Sequence, residues 1–320
     1  MKTRIFLLAM ALVLGMQASA RAETVIRFGH FPNVTHVQAL VAHHLSRQGK
    51  GWFEERLGPG VRIDWYLYNA GPSAMEAVFA NGIDVTYVGP SPAINAFAKS
   101  NGAEVRIVSG AANGGAALVV QPDSGIKTGA DFRGKRIGTP QLGNTQDVAC
   151  RAWLSAQGLK VTQTGGDALV IPTPNPDQLS LFLQKKLDAV WTVEPWVSRL
   201  ERDAKGVVFL EEKDSVTTVL VSSVKFRSEQ EVLLRKLVAA HKELTEWIVA
   251  HPDEAQAMVV EELSAETRSR IAPELIASAW KRIELTNNVS LPSLQTYVVN
   301  AQSAGFLHKM PDLKMLVETP

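Results

Sequence analysis

Val85-Thr86-Tyr87-Val88-Gly89-Pro90-Ser91-Pro92-Ala93-Ile94-Asn95-Ala96-Phe97-Ala98 is the stretch on which the fold turns. The β-branched and aromatic run Val85 to Val88 reads as a strand, Gly89 as a turn, and the alanine-rich remainder as a helix. Gly89 lets the backbone bend, the Ser91 hydroxyl is placed to cap the helix, and Pro92 suits its first position. Such a helix start carries unpaired N–H groups and partial positive charge, a seat for a carboxylate, sulfonate or phosphate. One junction of this kind is ordinary capping, but several of them lining one cleft would hold a solute.

The junction recurs. Thr24 to Gly29 is a first strand, and Phe31-Pro32-Asn33-Val34-Thr35-His36 leads into a helix reaching about Gln48, with Thr35 or Asn33 as its cap. Val61 to Tyr68 alternates as a second strand and meets Asn69-Ala70-Gly71-Pro72-Ser73, where Pro72 opens a helix that stops at Asn81-Gly82. After the strand Val105 to Gly110 and the glycine pair Gly114-Gly115, a second series begins. There Gly143-Asn144-Thr145 starts a helix, Asn144 as cap and Asp147 set to complete a capping box. Pro174-Asn175-Pro176-Asp177 starts the next, and the strand Ala189 to Val193 ends at Glu194-Pro195-Trp196. Strand and helix alternation is the extent of the internal repeat. The reading is an α/β chain of two lobes, 23–113 with 222–320 and 114–221, joined by two crossing strands, Ala116–Val120 and Val216–Val221. Helices follow, the first opened by a capping box of Ser228 with Glu231.

The N-terminus bounds the compartment. Lys2 and Arg4 precede the apolar run Ile5 to Leu14 and the small residues Ala18-Ser19-Ala20-Arg21-Ala22. This is the pattern of a secretory signal peptide, residues 1–22, with cleavage expected after Ala22 and Ala20 as the alternative. The run is shorter than the ~20 residues of a membrane helix. The sole cysteine, Cys150, leaves the signal without a lipidation site, so the mature chain is expected free in a periplasm. A lone cysteine also forbids an internal disulfide, and beside Val148, Ala149 and Trp153 it reads as a small buried hydrophobe rather than a nucleophile. The chain has 33 basic and 32 acidic residues, and without Lys2, Arg4 and Arg21 the balance is 30 to 32. Its densest basic group, Arg133, Lys135 and Arg136, is short and interrupted, which excludes nucleic acid as a partner.

The signal peptide, the start Phe31-Pro32-Asn33-Val34-Thr35-His36, the pattern Gly89-Pro90-Ser91-Pro92 and Glu194-Pro195-Trp196 occur together. In them the mature chain resembles periplasmic solute-binding proteins of ABC importers, in the group for aliphatic sulfonates, taurine and nitrate that shares a fold with thiamine-precursor binders. Asp131 to Ile137 is similar to that family's second-lobe opening of an acidic residue, an apolar one, Gly and Lys. The resemblance covers nearly everything after Ala22. It implies a type II periplasmic-binding-protein fold with two hinge strands and closure on a small anion or zwitterion. It also implies delivery to an inner-membrane permease with its cytoplasmic ATPase. Sulfonate binders often show Gly, Ser, two variable residues and His at the second-lobe helix start, whereas Gly143 and Asn144 are followed here by Asp147. The ligand is thereby left open among a sulfonate such as taurine, nitrate or bicarbonate, and a thiamine precursor. A monomer with no cofactor and no metal is expected.

Ser91, set between Gly89-Pro90 and the Ala93 amide, is the expected anion donor of the first lobe, faced by Gly143, Asn144 and Thr145 from the second. Neutral donors suffice, because several amides and hydroxyls stabilise an oxyanion without a buried ion pair. Asn33, Thr35 and His36 join them, His36 either as a donor or as a capping or surface residue. Trp196 either stacks on the ligand or belongs to the core. Glu194 either points away as a cap or binds an amine, as a zwitterion resembling taurine requires. His43 with His44 makes no metal pair, since adjacent helical residues do not share a face. An enzyme is the competing class, against which stand the missing Gly-x-Ser-x-Gly elbow, His-Glu-x-x-His and Walker loop. A sensor module that passes closure to a membrane receptor stays open beside transport.

Overall fold

The computed structural model describes residues 23–318, so the expected signal peptide lies outside the described residues. Two mixed sheets organise the chain. The first contains β1 (Thr24–His30), β2 (Val61–Leu67), β3 (Val85–Val88) and β4 (Val105–Gly114). The second contains β5 (Ala116–Val120), β6 (Arg136–Thr139), β7 (Leu169–Pro172), β8 (Ala189–Val193) and β9 (Val207–Glu212). The chain then returns to the first sheet as β10 (Val216–Ser223) and β11 (Ile283–Leu285). The strand orders are β11-β4-β10-β3-β1-β2 and β7-β6-β8-β5-β9. In each sheet three strands are parallel, β2-β1-β3 and β7-β6-β8, and an antiparallel strand follows, β10 and β5. The strands β3, β5, β8 and β10 are buried along their whole length, which their apolar and β-branched sequences require once both faces are covered.

The helices start where the parallel strands end. α1 (Val37–Arg47) follows β1 through a 3-10 turn, and α2 (Trp52–Leu57) packs beside it. α3 (Gly71–Phe79) follows β2 and α4 (Pro90–Lys99) follows β3. In the second lobe α5 (Thr145–Ala156), α6 (Asn175–Leu183) and α7 (Trp196–Ala204) follow β6, β7 and β8. Because parallel strands point one way, each lobe collects these helix starts at one edge of its sheet.

The crossings differ from the sequence reading. Ala116–Val120 lies wholly in the second sheet, while Val216–Val221 pairs on both sides within the first, with β3 and with β4. A strand with two ladder partners belongs to its sheet, so the boundary at 221 moves back to the turn Lys213–Ser215. The outward crossing is Gly114-Gly115, with φ of 70° and 72°, a conformation that glycine tolerates and other residues avoid. A Cβ on Gly114 would also lie 2.4 Å from the Arg282 carbonyl oxygen and 2.8 Å from that of Lys213. Gly114 N–H donates to the Ser215 carbonyl at 2.9 Å, so the two crossings run side by side.

The lobes also repeat a device that the sequence hides. At β1, the Arg27 backbone N–H and Nε both donate to Asp84 Oδ2, at 2.9 and 3.0 Å, and its Nη1 donates to the Asn81 carbonyl. At β6, Arg136 gives the same two groups to Asp188 Oδ2, at 2.8 and 2.9 Å, and its Nη2 to the Lys185 carbonyl. Asn81 and Lys185 share a left-handed φ of 54°. Each lobe thus clamps its first parallel strand to the turn before its third in the same way.

The C-terminal segment packs on the first lobe as α8 (Val224–Glu229), α9 (Glu231–Ala250), α10 (Pro252–Thr267), α11 (Pro273–Trp280), α12 (Leu291–Ser303) and α13 (Leu313–Leu316). The capping box expected of Ser228 is not formed. Ser228 sits inside α8, its hydroxyl bonded to the Lys225 carbonyl at 2.9 Å, and Gln230 precedes α9 without a side-chain cap. Among the described residues no helix is long and apolar enough to cross a membrane. Cys150 is buried on α5, and burial pushes its thiol well above the usual range.

His241 on α9 fastens that helix to the first sheet. Tyr87 OH lies 2.9 Å from its Nδ1, and its Nε2 lies 2.8 Å from the Gly110 carbonyl, so the ring is neutral with its hydrogen on Nε2. Burial lowers its pKa from 6.5 to about 4. The unfolded chain therefore takes up this proton first, and the stability that the neutral ring contributes, present above pH 6.5, is lost as pH falls toward 4. That shift amounts to about 3 kcal/mol. Urea unfolding across this range is expected to show the loss in the wild type, and His241→Gln is expected to lack this component, its stability difference from the wild type shrinking as pH falls.

Candidate functional site

Helix starts from both lobes surround one cavity. Gly71 opens α3, Gly89 precedes α4, Thr145 opens α5 and Asn175 opens α6, and all four residues line it. Phe31, Asn33, Thr35 and His36, from the turn after β1, form another wall, and Asn69, Asn144 and Gln146 add side-chain amides. No lysine, arginine, aspartate or glutamate is among the lining residues. The cavity offers about 20 Å³ to the centre of a water-sized sphere, little more than one water molecule needs. The lobes are therefore closed on each other.

Of the residues singled out from sequence, Asn33, Thr35, His36, Gly89, Asn144 and Thr145 are brought together on this lining, and Pro90, Ser91, Gly143, Glu194 and Trp196 are not. Asn33 does not cap its turn. Its Oδ1 instead accepts from Trp196 Nε1 at 2.8 Å and from Asn175 Nδ2 at 3.4 Å, bonds that tie the first lobe to the second. Trp196 is thereby a buried strut between lobes and not a stacking surface. His36 is buried, and its Nδ1 accepts from the Phe31 N–H at 3.3 Å, which leaves the ring hydrogen on Nε2. Burial, with His30 nearby, holds its pKa well below the ordinary 6.5, so it offers a neutral donor.

The α4 start departs from expectation. The helix begins at Pro90 with Gly89 as N-cap, and Ser91 makes no capping bond. With prolines at 90 and 92, the Ser91 amide is the one donor of the first three residues, and it points at Thr145 Oγ1 across the lobes at 3.4 Å. Ser91 Oγ is buried without a partner, and Ala93 is fully buried away from the lining.

At α5, Asn144 does cap, its Oδ1 accepting from the Asp147 N–H at 2.9 Å. The reciprocal half of the box is replaced. Asp147 accepts instead from Gly143 N–H and Thr139 Oγ1, both at 2.9 Å, and is paired with Arg151 one turn on, both side chains buried. Asp147 shapes the loop while its charge is held away from the cavity.

Glu194 is held in the same manner. Its carboxylate accepts from Ser198 N–H at 3.1 Å and Ser198 Oγ at 2.9 Å, and pairs with Arg282 Nη1 at 3.0 Å. Burial pushes this carboxyl above its ordinary range, against the opposing pull of Ser198 and Arg282. It caps the first turn of α7 and pairs with Arg282, and it is not on the cavity lining. Arg282, next to β11 in the first lobe, also reaches Glu201 on α7 at 2.9 Å and Glu211 on β9 at 3.6 Å, so one guanidinium joins three carboxylates of the other lobe.

Sequence reasoning does not single out Asn69 and Asn175 as site residues. Asn69 Nδ2 donates to the Pro140 carbonyl at 3.1 Å and its Oδ1 accepts from Asn175 N–H at 3.2 Å, which makes both of them cross-lobe residues. Each stands at a helix start already recognised as a junction, and that position was the available signal.

A model of the NMT1-like family matches residues 19–264. A candidate binding protein of Brucella abortus is 24% identical over 307 residues, 91% of this chain and 89% of its own length. The taurine-binding periplasmic protein of Escherichia coli is 25% identical over 146 residues, 46% of this chain and 43% of its own. The structure is similar to the alkanesulfonate-binding protein of Xanthomonas axonopodis pv. citri bound to MOPS, with a TM-score of 0.75 and 18% identity over 94% of this chain and all of that one. It is also similar to the periplasmic nitrate-binding protein of Synechocystis PCC 6803, with a TM-score of 0.73 and 14% identity over 91% and 84%.

Arg282→Met leaves the Glu194 carboxyl buried without its cation and is expected to cost about 3 kcal/mol in chemical denaturation. The double variant Glu194→Gln with Arg282→Met is expected to recover much of that, and a single-variant cost under about 1 kcal/mol would show that the clamp carries little weight.

Proposed function

The chain belongs to the NMT1-like family, and from that premise we propose that it is the solute-binding component of an ABC importer. In this reading it takes a small solute with an oxyanion group between its lobes, closes over it in the periplasm, and hands it to a permease driven by a cytoplasmic ATPase. The observation that carries the reading is the convergence of helix starts from both lobes on one uncharged, polar cavity. Helix dipoles and neutral donors stabilise an anion without a fixed counter-charge, and release is easier than from a buried ion pair. Relatives named for sulfonate, taurine and nitrate binding accord with this chemistry.

The lining also bears on which anion. No acid stands on it, so the ammonium group of taurine finds no counter-charge there. An alkylsulfonate without an amine, or a planar inorganic anion, suits it better. Cross-lobe hydrogen bonds such as Asn69 to Pro140 and Trp196 to Asn33 hold the halves together around the cavity, so uptake requires the lobes to part about the crossings at Gly114-Gly115 and Lys213–Ser215.

Thermal unfolding of the mature protein with methanesulfonate, taurine, nitrate, bicarbonate and a thiamine-precursor pyrimidine tests this. A solute at 100 times its Kd adds roughly 2.7 kcal/mol, a rise of several degrees in Tm. Thr145→Val and Asn69→Ala are each expected to weaken binding about tenfold, the value of one hydrogen bond. A shift with the pyrimidine alone moves the ligand class to neutral heterocycles. No shift with any of the five overturns the reading.

A further inference from the structure

A second constellation lies at the end of β1, under α1 and α10. His30 ends β1, His43 is on α1, and Glu262 and Glu266, one helical turn apart on α10, meet them. His30 Nε2 is 2.6 Å from Glu266 Oε1, and His43 Nδ1 is 2.9 Å from both Glu266 Oε1 and Glu262 Oε1. The donor atoms of His30, His43 and Glu266 all lie within 4.8 Å of one another. The side chains of His30 and Glu266 are 0% exposed, Glu262 1% and His43 12%, so the group is enclosed but has one opening, at His43. Trp65 walls it, stacked on the His43 ring at 5.2 Å and edge-on to His30 at 5.3 Å.

Hydrogen bonding alone accounts poorly for these residues. One oxygen, Glu266 Oε1, serves two imidazoles, while Glu266 Oε2, Glu262 Oε2 and His30 Nδ1 are buried with no partner. Leaving a buried polar atom unpaired is costly. Two imidazoles and two carboxylates converging on one point are the ligand types of a borderline divalent ion, and tetrahedral zinc is bound by such nitrogen and oxygen atoms at about 2.0–2.2 Å. Ligand atoms at that bond length stand roughly 3.3–3.5 Å apart, so the present 2.6 and 2.9 Å contacts need to lengthen by about 0.4–0.9 Å. A bidentate Glu266 would give its second oxygen a partner. Arg47 Nε, 2.9 Å from Glu262 Oε1, already orients that carboxylate from outside the group.

We propose that His30, His43 and Glu266, with Glu262 as the fourth ligand, form a binding site for a divalent first-row transition metal such as Zn²⁺. The site ties α10 to the end of β1, the strand whose next residues, Phe31 and Asn33, line the solute cavity. It draws on no residue of that cavity and stands independently of what the cavity binds. Sequence adjacency misleads here. His43 and His44 indeed face different ways, His44 toward Gln48 and His43 inward, and the partners of His43 lie 13 residues before it and over 200 after it.

The test titrates chelator-treated, full-length mature protein with Zn²⁺ by calorimetry, and with Co²⁺ by visible absorption. The expected result is one ion per chain and the intense visible bands of a four-coordinate Co²⁺ site. His43→Ala, at the partly exposed position, is expected to keep the fold by circular dichroism and lower Zn²⁺ affinity at least about tenfold. Glu266→Gln should do the same, and if it fails to fold, His43→Ala decides. Affinity is expected to fall with falling pH, as protons compete for the ligand atoms. Weak binding at several sites, no binding, or one-to-one binding unchanged in His43→Ala would overturn the proposal.

Discussion

Two adjacent chain crossings constrain everything else in this molecule. The peptide passes between sheets at Gly114-Gly115 and again at Lys213–Ser215, and a hydrogen bond joins the two passages. Links so close together act as a single line about which the lobes can rotate but hardly slide. Opposed helix starts therefore meet in the same register whenever the lobes come together, and the cavity lining is reproducible although it belongs to two bodies. The positive φ angles at both glycines make this line possible, and the crowding at Gly114 leaves no room for a side chain there.

The second theme is the management of charge. Two buried carboxylates near the cleft are answered on the side away from it: Asp147 by Arg151, Glu194 by Arg282. What faces the solute is amide, hydroxyl and neutral imidazole. Buried pairs of this kind add little net stability relative to apolar packing, but removing one partner is costly. Their value here is positional. Asp147 fixes the loop 139–144 by taking the Gly143 N–H and Thr139 hydroxyl, and Glu194 caps α7 while anchoring the first lobe through Arg282.

Much of the fold was legible because it is written locally. Gly89 before a proline, Pro72 after Gly71, and Asn144 three residues before Asp147 are short-range signals, and each marks a helix start within a residue or two of its place. The misreadings share one cause, which is that local pattern does not say where a side chain finds its partner. Ser91 has the chemistry of a cap, but Gly89 takes that position and Ser91 is buried unpaired. Asn33 looks like a cap, yet its side-chain Oδ1 accepts from Trp196 far along the chain. Glu194 and Arg282, or His30 and Glu266, are brought together by tertiary packing that no spacing rule anticipates. The β-branched run Val216–Val221 reads as a strand, but β-branched sequence identifies a strand and not its sheet, and pairing with β3 and β4 puts it in the first.

The packing of α5 against α12 has a consequence for energetics. Val148, from the second lobe, is fully buried within an apolar cluster of the first that includes Leu294, Tyr297 and Val298. Drawing the halves apart wets this patch, at a cost near that of exposing one aliphatic side chain, about 1.5–3 kcal/mol. The shut conformer thus has adhesion of its own before any guest arrives, and a guest held between the halves adds its binding energy to that adhesion.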